Sequence, residues 1–226
     1  MISQRIKDLY FNMIGPATYL NHCLWKTRMR STIPKRLIVN GNGKLWLNVG
    51  SGAKAHPSFV NIDGNIFRHP EMWLDLKNGL PFPPGTVDGI YASHVLEHFY
   101  YAELAIVLAE CRRVLKPSGG LRMVVPSMEG AIRAYLSGDR SWFSEFPTKF
   151  NSVGGRFSNF LFCDGQHRLA FDFTFAEEVL LQAGFSTISL MKYGESKVLP
   201  ENVLTELEGP PGSGGSNLVV EAFRST

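Results

Sequence analysis

Cysteine, long apolar runs and a dominant charge are all scarce in this 226-residue chain. The three cysteines, Cys23, Cys111 and Cys163, are odd in number, far apart and form no CxxC pair. That excludes a disulfide framework and a cysteine zinc site, and it suits a reducing compartment. No apolar run approaches the roughly 18 residues that a membrane span needs. The N-terminus lacks the unbroken apolar stretch of a secretory signal. These absences together predict a cytoplasmic protein. The net charge is only +3, and the 44% apolar and 19% charged fractions describe an ordinary globular chain. Its length suits one α/β domain with additions.

The small net charge conceals an asymmetry. Residues 1–36 carry seven basic side chains (Arg5, Lys7, Lys26, Arg28, Arg30, Lys35 and Arg36) against Asp8 alone. That local net of +6 leaves −3 for the rest of the chain. A mildly acidic body excludes a nucleic-acid-binding profile across the whole chain and puts any anionic contact at the arm.

What is present begins at Leu45-Trp46-Leu47-Asn48-Val49-Gly50-Ser51-Gly52, followed by Phe59-Val60-Asn61-Ile62-Asp63. This reads as an apolar strand, a glycine turn, a crossover and a second strand closing on a carboxylate. Glycines let the backbone approach a ligand, and the carboxylate can accept hydrogen bonds from both hydroxyls of a ribose. The spacing from Gly50 to Asp63 falls short of the roughly 20 residues of a dinucleotide fingerprint, and its third glycine is missing. An adenosine-like ligand fits better than NAD; an ordinary tight turn is the alternative. Two other glycine-rich stretches carry no phosphate loop. Gly41-Asn42-Gly43 precedes its strand, and Gly209–Ser216 lacks the Lys-Ser/Thr ending and reads as a flexible connection.

Beyond residue 44 the pattern alternates. Strands are predicted at Lys44–Val49, Phe59–Ile62, Met72–Leu76, Val87–Ser93, Leu121–Pro126, Thr187–Tyr193 and Leu218–Phe223, with helices at about Tyr100–Leu115 and Phe175–Ala183. Such alternation predicts an α/β fold: a doubly wound, mostly parallel seven-stranded sheet. The final two strands, with no helix foreseen between them, predict an antiparallel edge hairpin. Residues 1–40 form an added basic amphipathic helical arm, and residues 41–226 the domain. Within the arm, Gly15-Pro16 predicts two helices meeting at a bend. The arm's readings are packing on its own domain or a second subunit, contact with a membrane surface, or a lid. Residues 127–166 form an aromatic insertion on the substrate side. Its rings (Tyr135, Trp142, Phe143, Phe146, Phe150, Phe157, Phe160 and Phe162) read either as a local core or as stacking surfaces.

From Leu45 onward the chain resembles the class I S-adenosylmethionine-dependent methyltransferases, in particular the type 11-like group. The motifs are Leu47–Gly52, Phe59–Asp63, Asp75-Leu76 with Leu80-Pro81-Phe82-Pro83, Val87–His98, Arg113–Gly120, and Phe175 through Ala183-Gly184-Phe185. Each is weak alone; six in order are specific. The resemblance implies a Rossmann-like methyltransferase fold binding S-adenosylmethionine. Gly50, Ser51 and Gly52 would cradle the methionine part, and Asp63 the ribose. Asp75 and Leu76 would bracket the adenine, while Ser93 and His94 would flank the methyl group. Asn48 stands where the family often has an acidic residue, and would fix the loop by hydrogen bonding.

His94, Glu97 and His98 stand at i, i+3 and i+4, which puts all three on one face if they are helical. The pattern matches the inverzincin signature, but a parallel strand in a methyltransferase framework precedes it, which argues against a protease. A structural role supporting the cofactor pocket is one reading. Another follows from metal-dependent O-methyltransferases of this fold: His94, Glu97, His98 and the remote His167 would hold a divalent cation (Mg, Mn or Zn) and acidify a substrate hydroxyl. An oxygen acceptor also needs a base, and a histidine's ordinary pKa of about 6.5 suits that task. His98 and His167 are the catalytic candidates. Glu129, Asp164 and Asp172 read as surface carboxylates.

The expected activity is methyl transfer to a hydroxyl of a small molecule or saccharide. Two alternatives stay open: a protein or nucleic-acid methyltransferase docking through the arm, and a non-catalytic cofactor-binding partner subunit.

Overall fold

The computed structural model describes residues 4–29, 37, 43–209 and 214–225. Arg30, Lys35 and Arg36 of the arm, the Gly41-Asn42 pair and most of the proline–glycine segment after Gly209 lie outside the described residues.

Seven strands form one sheet in the order β3-β2-β1-β4-β5-β7-β6. They are β1 (Trp46–Val49), β2 (Val60–Asp63), β3 (Met72–Trp73), β4 (Val87–Ser93), β5 (Leu115–Pro126), β6 (Thr187–Met191) and β7 (Asn217–Phe223). All run parallel except β7, which is antiparallel to both β5 and β6. Central strands of such a sheet are covered on both faces, so they read as continuous apolar runs. Every residue of β1 is buried. Leu47, Val49, Ile62, Ile90 and Met123 belong to the larger core. Trp46, Phe59, Tyr91 and Val124, alternating with them, belong to a second core on the opposite face.

The helices are α1 (Gln4–Arg28), α2 (Tyr101–Val114), α3 (Met128–Ser137), α4 (Val153–Phe162), α5 (Phe173–Gln182) and α6 (Glu201–Glu208). The expected antiparallel edge pair forms between β6 and β7, but helix α6 lies between them in the chain, so their connection is not a direct hairpin. Val203, Leu204 and Leu207 of α6 close the second core. The start and stop signals were present: Pro200 at the N-cap, Glu201 in the first turn, and Gly209 at the C-cap with φ 83°. Eight residues are simply too few for periodicity to reveal.

The arm brings a second correction. Helix α1 runs unbroken through Pro16, although an internal proline costs about 3 kcal/mol through its lost N–H and ring clash. Tertiary anchors on both sides of the proline hold the axis. Before it, the Tyr10 hydroxyl donates to the Gly64 carbonyl (3.5 Å) and accepts from the Ile66 N–H (3.2 Å). After it, Asn21 Nδ2 donates to the Trp73 carbonyl at 2.7 Å. Since β3 is the sheet edge, the Asn21 bond from α1 also satisfies one of its outward backbone groups, the Trp73 carbonyl. Among the described residues, no helix is long and apolar enough to cross a membrane.

Candidate active site

Strand order reverses between β1 and β4, and their C-terminal ends therefore open a crevice. The β1 loop forms one wall. Gly50 and Gly52 both take left-handed backbone angles, φ 65° and 52°, which only glycine adopts without strain. A Cβ on Gly50 would overlap the Val95 side chain, so the loop after β4 packs directly on the loop after β1. A Cβ on Gly52 would meet nothing closer than the Gly50 carbonyl at 3.9 Å, leaving that side open to a ligand.

The loop is held from below by polar side chains. Asp63 Oδ2 accepts the Gly52 N–H at 2.7 Å, and Oδ1 accepts the Asn65 N–H at 2.7 Å. Buried Asn48 donates to the Lys54 carbonyl (2.9 Å) and to Asn61 Oδ1 (3.0 Å). Asn61, unremarked in the sequence, also takes the His56 N–H at 2.9 Å and so ties the crossover to β2. The Ser51 hydroxyl is buried and has no hydrogen-bond partner among the described residues. This left-open hydroxyl, the open side of Gly52 and the Asp63 carboxylate fit the polar end and ribose of S-adenosylmethionine. Asp75 caps the short turn Leu76–Asn78, its Oδ1 accepting the Lys77 N–H at 3.0 Å, and Leu76 is buried beneath. Ser93 ends β4, and the His94 N–H is held by the Val124 carbonyl at 2.9 Å.

The second wall holds the histidines. The expected helical alignment of His94, Glu97 and His98 is not what forms. His94 is left-handed (φ 53°), and only Leu96–His98 make a single 3-10 turn. That turn nonetheless buries Glu97 to 1% exposure. The backbone N–H groups of Arg168 and Leu169 both donate to the Glu97 carbonyl, at 2.8 and 3.2 Å. This pairing delivers the remote His167. Ligating atoms of Glu97, His98 and His167 lie within 4.8 Å of one another. His94 stands beside that trio through Glu97, with Nδ1 3.4 Å from Oε1.

Both ring orientations are fixed by carbonyls. His98 Nδ1 lies 3.0 Å from the Gln166 carbonyl, and His167 Nδ1 lies 3.1 Å from that of Leu161. A carbonyl only accepts, so Nδ1 carries the proton in each ring and Nε2 of each neutral ring keeps a lone pair. The Leu161 carbonyl belongs to α4, and the turn that follows the helix places Gln166: Cys163, Asp164 and Gly165 are all left-handed, at 46°, 54° and 74°. Gln166 escaped the sequence reading, although Asp164-Gly165 is a turn signal. Burial pushes the His167 pKa down, against the opposing pull of Glu97, and keeps its ring neutral. Burial resists ionisation of Glu97, but the surrounding histidines outweigh it and hold its pKa below the usual value. Among the described residues neither Glu97 oxygen receives a short, well-aligned hydrogen bond; its contacts are longer ion pairs to His94 (3.4 Å) and His167 (3.9 Å).

The remaining candidates fall elsewhere. Glu129 pairs with Arg133 on the surface, and Asp172 caps α5. The insertion's rings divide. Trp142, Phe143, Phe157 and Phe160 form a small core with Ala131 and Ala134, whereas Tyr135, Phe146, Phe150 and Phe162 are exposed.

A doubly wound sheet with a glycine loop and acidic strand end at its switch point is the arrangement that nucleotide-binding α/β proteins share. The family model described as a methyltransferase domain matches residues 70–123. No curated protein matches the sequence. Among solved structures, the chain is similar to a SAM-dependent methyltransferase from Archaeoglobus fulgidus at 15% identity. That match covers 90% of this chain and 94% of that one, with a TM-score of 0.51. A Thermotoga maritima SAM-dependent methyltransferase, described as a possible histamine N-methyltransferase, is also 15% identical, with 95% and 97% covered and a TM-score of 0.49. Haemonchus contortus phosphoethanolamine N-methyltransferase 2, in complex with S-adenosyl-L-methionine, is 12% identical, with 81% and 49% covered and a TM-score of 0.42. The first of these carries the likeness of fold. With the matched segment, these findings support a class I S-adenosylmethionine-dependent methyltransferase.

Proposed function

We propose that this methyltransferase acts on a hydroxyl of a small molecule or saccharide, and that Glu97, His98 and His167 form its acceptor-side machinery. The observation that carries the reading is the buried Glu97 carboxylate, flanked by His94 at 3.4 Å and His167 at 3.9 Å and grouped with His98, with no short, well-aligned hydrogen bond to either oxygen among the described residues. A buried carboxylate held only by long contacts to histidines can still take a better-placed donor or a cation.

S-adenosylmethionine, when bound, supplies an electrophilic methyl group on a sulfonium. The chain's own task is to align the acceptor, exclude water and take a proton. Gly50–Gly52 and Asp63 would hold the donor's polar end and ribose, with Asp75 and Leu76 at its adenine and Ser93 and His94 nearest the reacting centre. His167 or His98 would accept the hydroxyl proton at Nε2, and Glu97 would stabilise the resulting imidazolium. The same donor set suits a divalent ion: histidines oriented through Nδ1 by backbone carbonyls are typical of metal ligands. Glu97, His98 and His167 would hold it, and it would lower the pKa of a bound hydroxyl. The exposed Tyr135, Phe146, Phe150 and Phe162 offer flat surfaces for an acceptor ring.

Thermal unfolding with S-adenosylhomocysteine tests the reading, with EDTA, Mg²⁺, Mn²⁺ or Zn²⁺ alongside. Ligand at about 100 times its dissociation constant should stabilise the fold by roughly 2.7 kcal/mol. A further metal-dependent shift, absent in Glu97→Gln, supports the divalent ion. A shift without a metal effect assigns the histidines to proton transfer alone. No shift at saturating ligand overturns the cofactor assignment.

A further inference from the structure

Helix α1 is apolar on two sides. Tyr10, Ile14, Thr18, Asn21, Trp25 and Met29 follow three- and four-residue steps, and this side faces the domain through the anchors at Gly64, Ile66 and Trp73. The other side needs no domain contact yet is also apolar. Leu9, Met13, Leu20 and Leu24 recur at helical spacing and are 58%, 73%, 62% and 62% exposed. The stripe does not end with the helix. Phe67, 75% exposed, lies 6.3 Å from the Tyr10 ring in the turn just beyond β2, next to the exposed Ile66. Cations border this surface: Lys26 and Arg28 are exposed in the last turn of α1, and Arg68 is exposed beside Phe67. The segment containing the helix holds seven basic residues and one acidic residue.

We propose that this face docks on an anionic lipid bilayer, with α1 lying in the interface plane and Phe67 inserting beside it. Apolar side chains bordered by cations match acyl chains beneath anionic headgroups. A second copy of the chain would present the same positive charge, which opposes pairing through this segment. Because Phe67 follows the strand that ends in Asp63, docking would set the nucleotide crevice close to the headgroups. The acceptor would then be met at a membrane surface.

Co-sedimentation of the full chain with phosphatidylcholine vesicles, with and without phosphatidylglycerol, tests this directly. Wild type should bind the phosphatidylglycerol vesicles, and added salt should weaken the binding. The exposed double substitution Met13→Glu/Leu20→Glu should reduce it at least about tenfold, with an unchanged melting temperature and unchanged S-adenosylhomocysteine binding. Equal binding to neutral vesicles overturns the anionic assignment. Failure of wild type to sediment with either vesicle overturns the proposal. So does a dimer, seen by light scattering, that the double substitution dissolves without any lipid binding.

Discussion

Two groups of carboxylates are buried in this molecule, and they are treated in opposite ways. Glu208 and Glu221 surround Arg122 with all three side chains at 0% exposure, and every oxygen is satisfied. Glu208 takes Arg122 Nε and Nη2 at 2.8 and 2.7 Å and the Gly194 N–H at 2.9 Å. Glu221 takes Arg122 Nη1 at 3.0 Å, the Ser196 hydroxyl, and the Lys197 N–H at 2.8 Å. Glu97, buried as deeply, has only longer contacts to His94 and His167, at 3.4 and 3.9 Å. Burial of charge is expensive in either place, so the difference lies in what completes it. The Arg122 cluster is finished by the fold and ties β5, β7 and α6 together. The Glu97 cluster is held by histidines at longer range, with no arginine closing it among the described residues.

Breaking the first cluster should have the largest effect. Arg122→Ala leaves two carboxylates buried without their shared cation, a loss of about 3–5 kcal/mol in denaturant unfolding. A loss below about 1 kcal/mol would mean that the network rearranges easily, and the contrast with Glu97 would weaken. Glu97→Gln should do the reverse. Its melting temperature should hold or rise, because a buried charge is removed, while methyl transfer to a hydroxyl acceptor falls roughly 10²-fold or more. A parallel loss of folding and activity would make Glu97 a second structural carboxylate.

This contrast also marks where the sequence was informative. Strands β1, β2 and β4 were legible almost residue by residue, because a buried parallel strand writes itself as an apolar run closed by glycine or a polar residue, and antiparallel β7, buried as deeply, was legible from its own apolar run. His94, Glu97, His98 and His167 were legible as chemistry but not as geometry. Nothing local indicates that His94 turns left-handed, or that the Glu97 carbonyl pairs with residues 168 and 169. The Arg122 cluster was not legible at all. Its members are far apart along the chain, and each alone looks like a surface charge. Pro16 misled in the same sense: local chemistry argued for a bend, and anchors from β3 and the turn beyond β2 decided otherwise.

A smaller effect is expected at Asp63, which is satisfied like the Arg122 cluster but sits at the open crevice. Asp63→Asn keeps a hydrogen-bonding side chain yet loses the charge that holds the Gly52 and Asn65 N–H groups. Since bonds to charged groups contribute about 1.5–3 kcal/mol, S-adenosylhomocysteine affinity by calorimetry should fall roughly tenfold or more. An unchanged affinity would confine Asp63 to shaping the loop.

The gentlest test separates the clusters by pH. Burial depresses the pKa of His167, and burial together with Lys26 and Arg113 depresses that of His22 under α1. Both rings are therefore neutral in the fold at a pH where the unfolded chain already binds protons. For such groups stability is fully present above the ordinary histidine value of about 6.5 and is lost as pH falls through the lower folded value. Glu97, also held below its usual value, adds a loss of the same sign further into acid. With EDTA present, so that protons are the only competitor at the site, the melting temperature should be level above about pH 7 and decline below about 6.5. His167→Asn should make that decline shallower, with His22 contributing to what remains near neutral pH and the lowered carboxyls Glu97 and Glu110 further into acid. Arg122 carries no such proton, because Glu208 and Glu221 outweigh burial and raise its pKa further. A decline of equal steepness in His167→Asn would move the acid sensitivity away from the open cluster and toward the underside of α1.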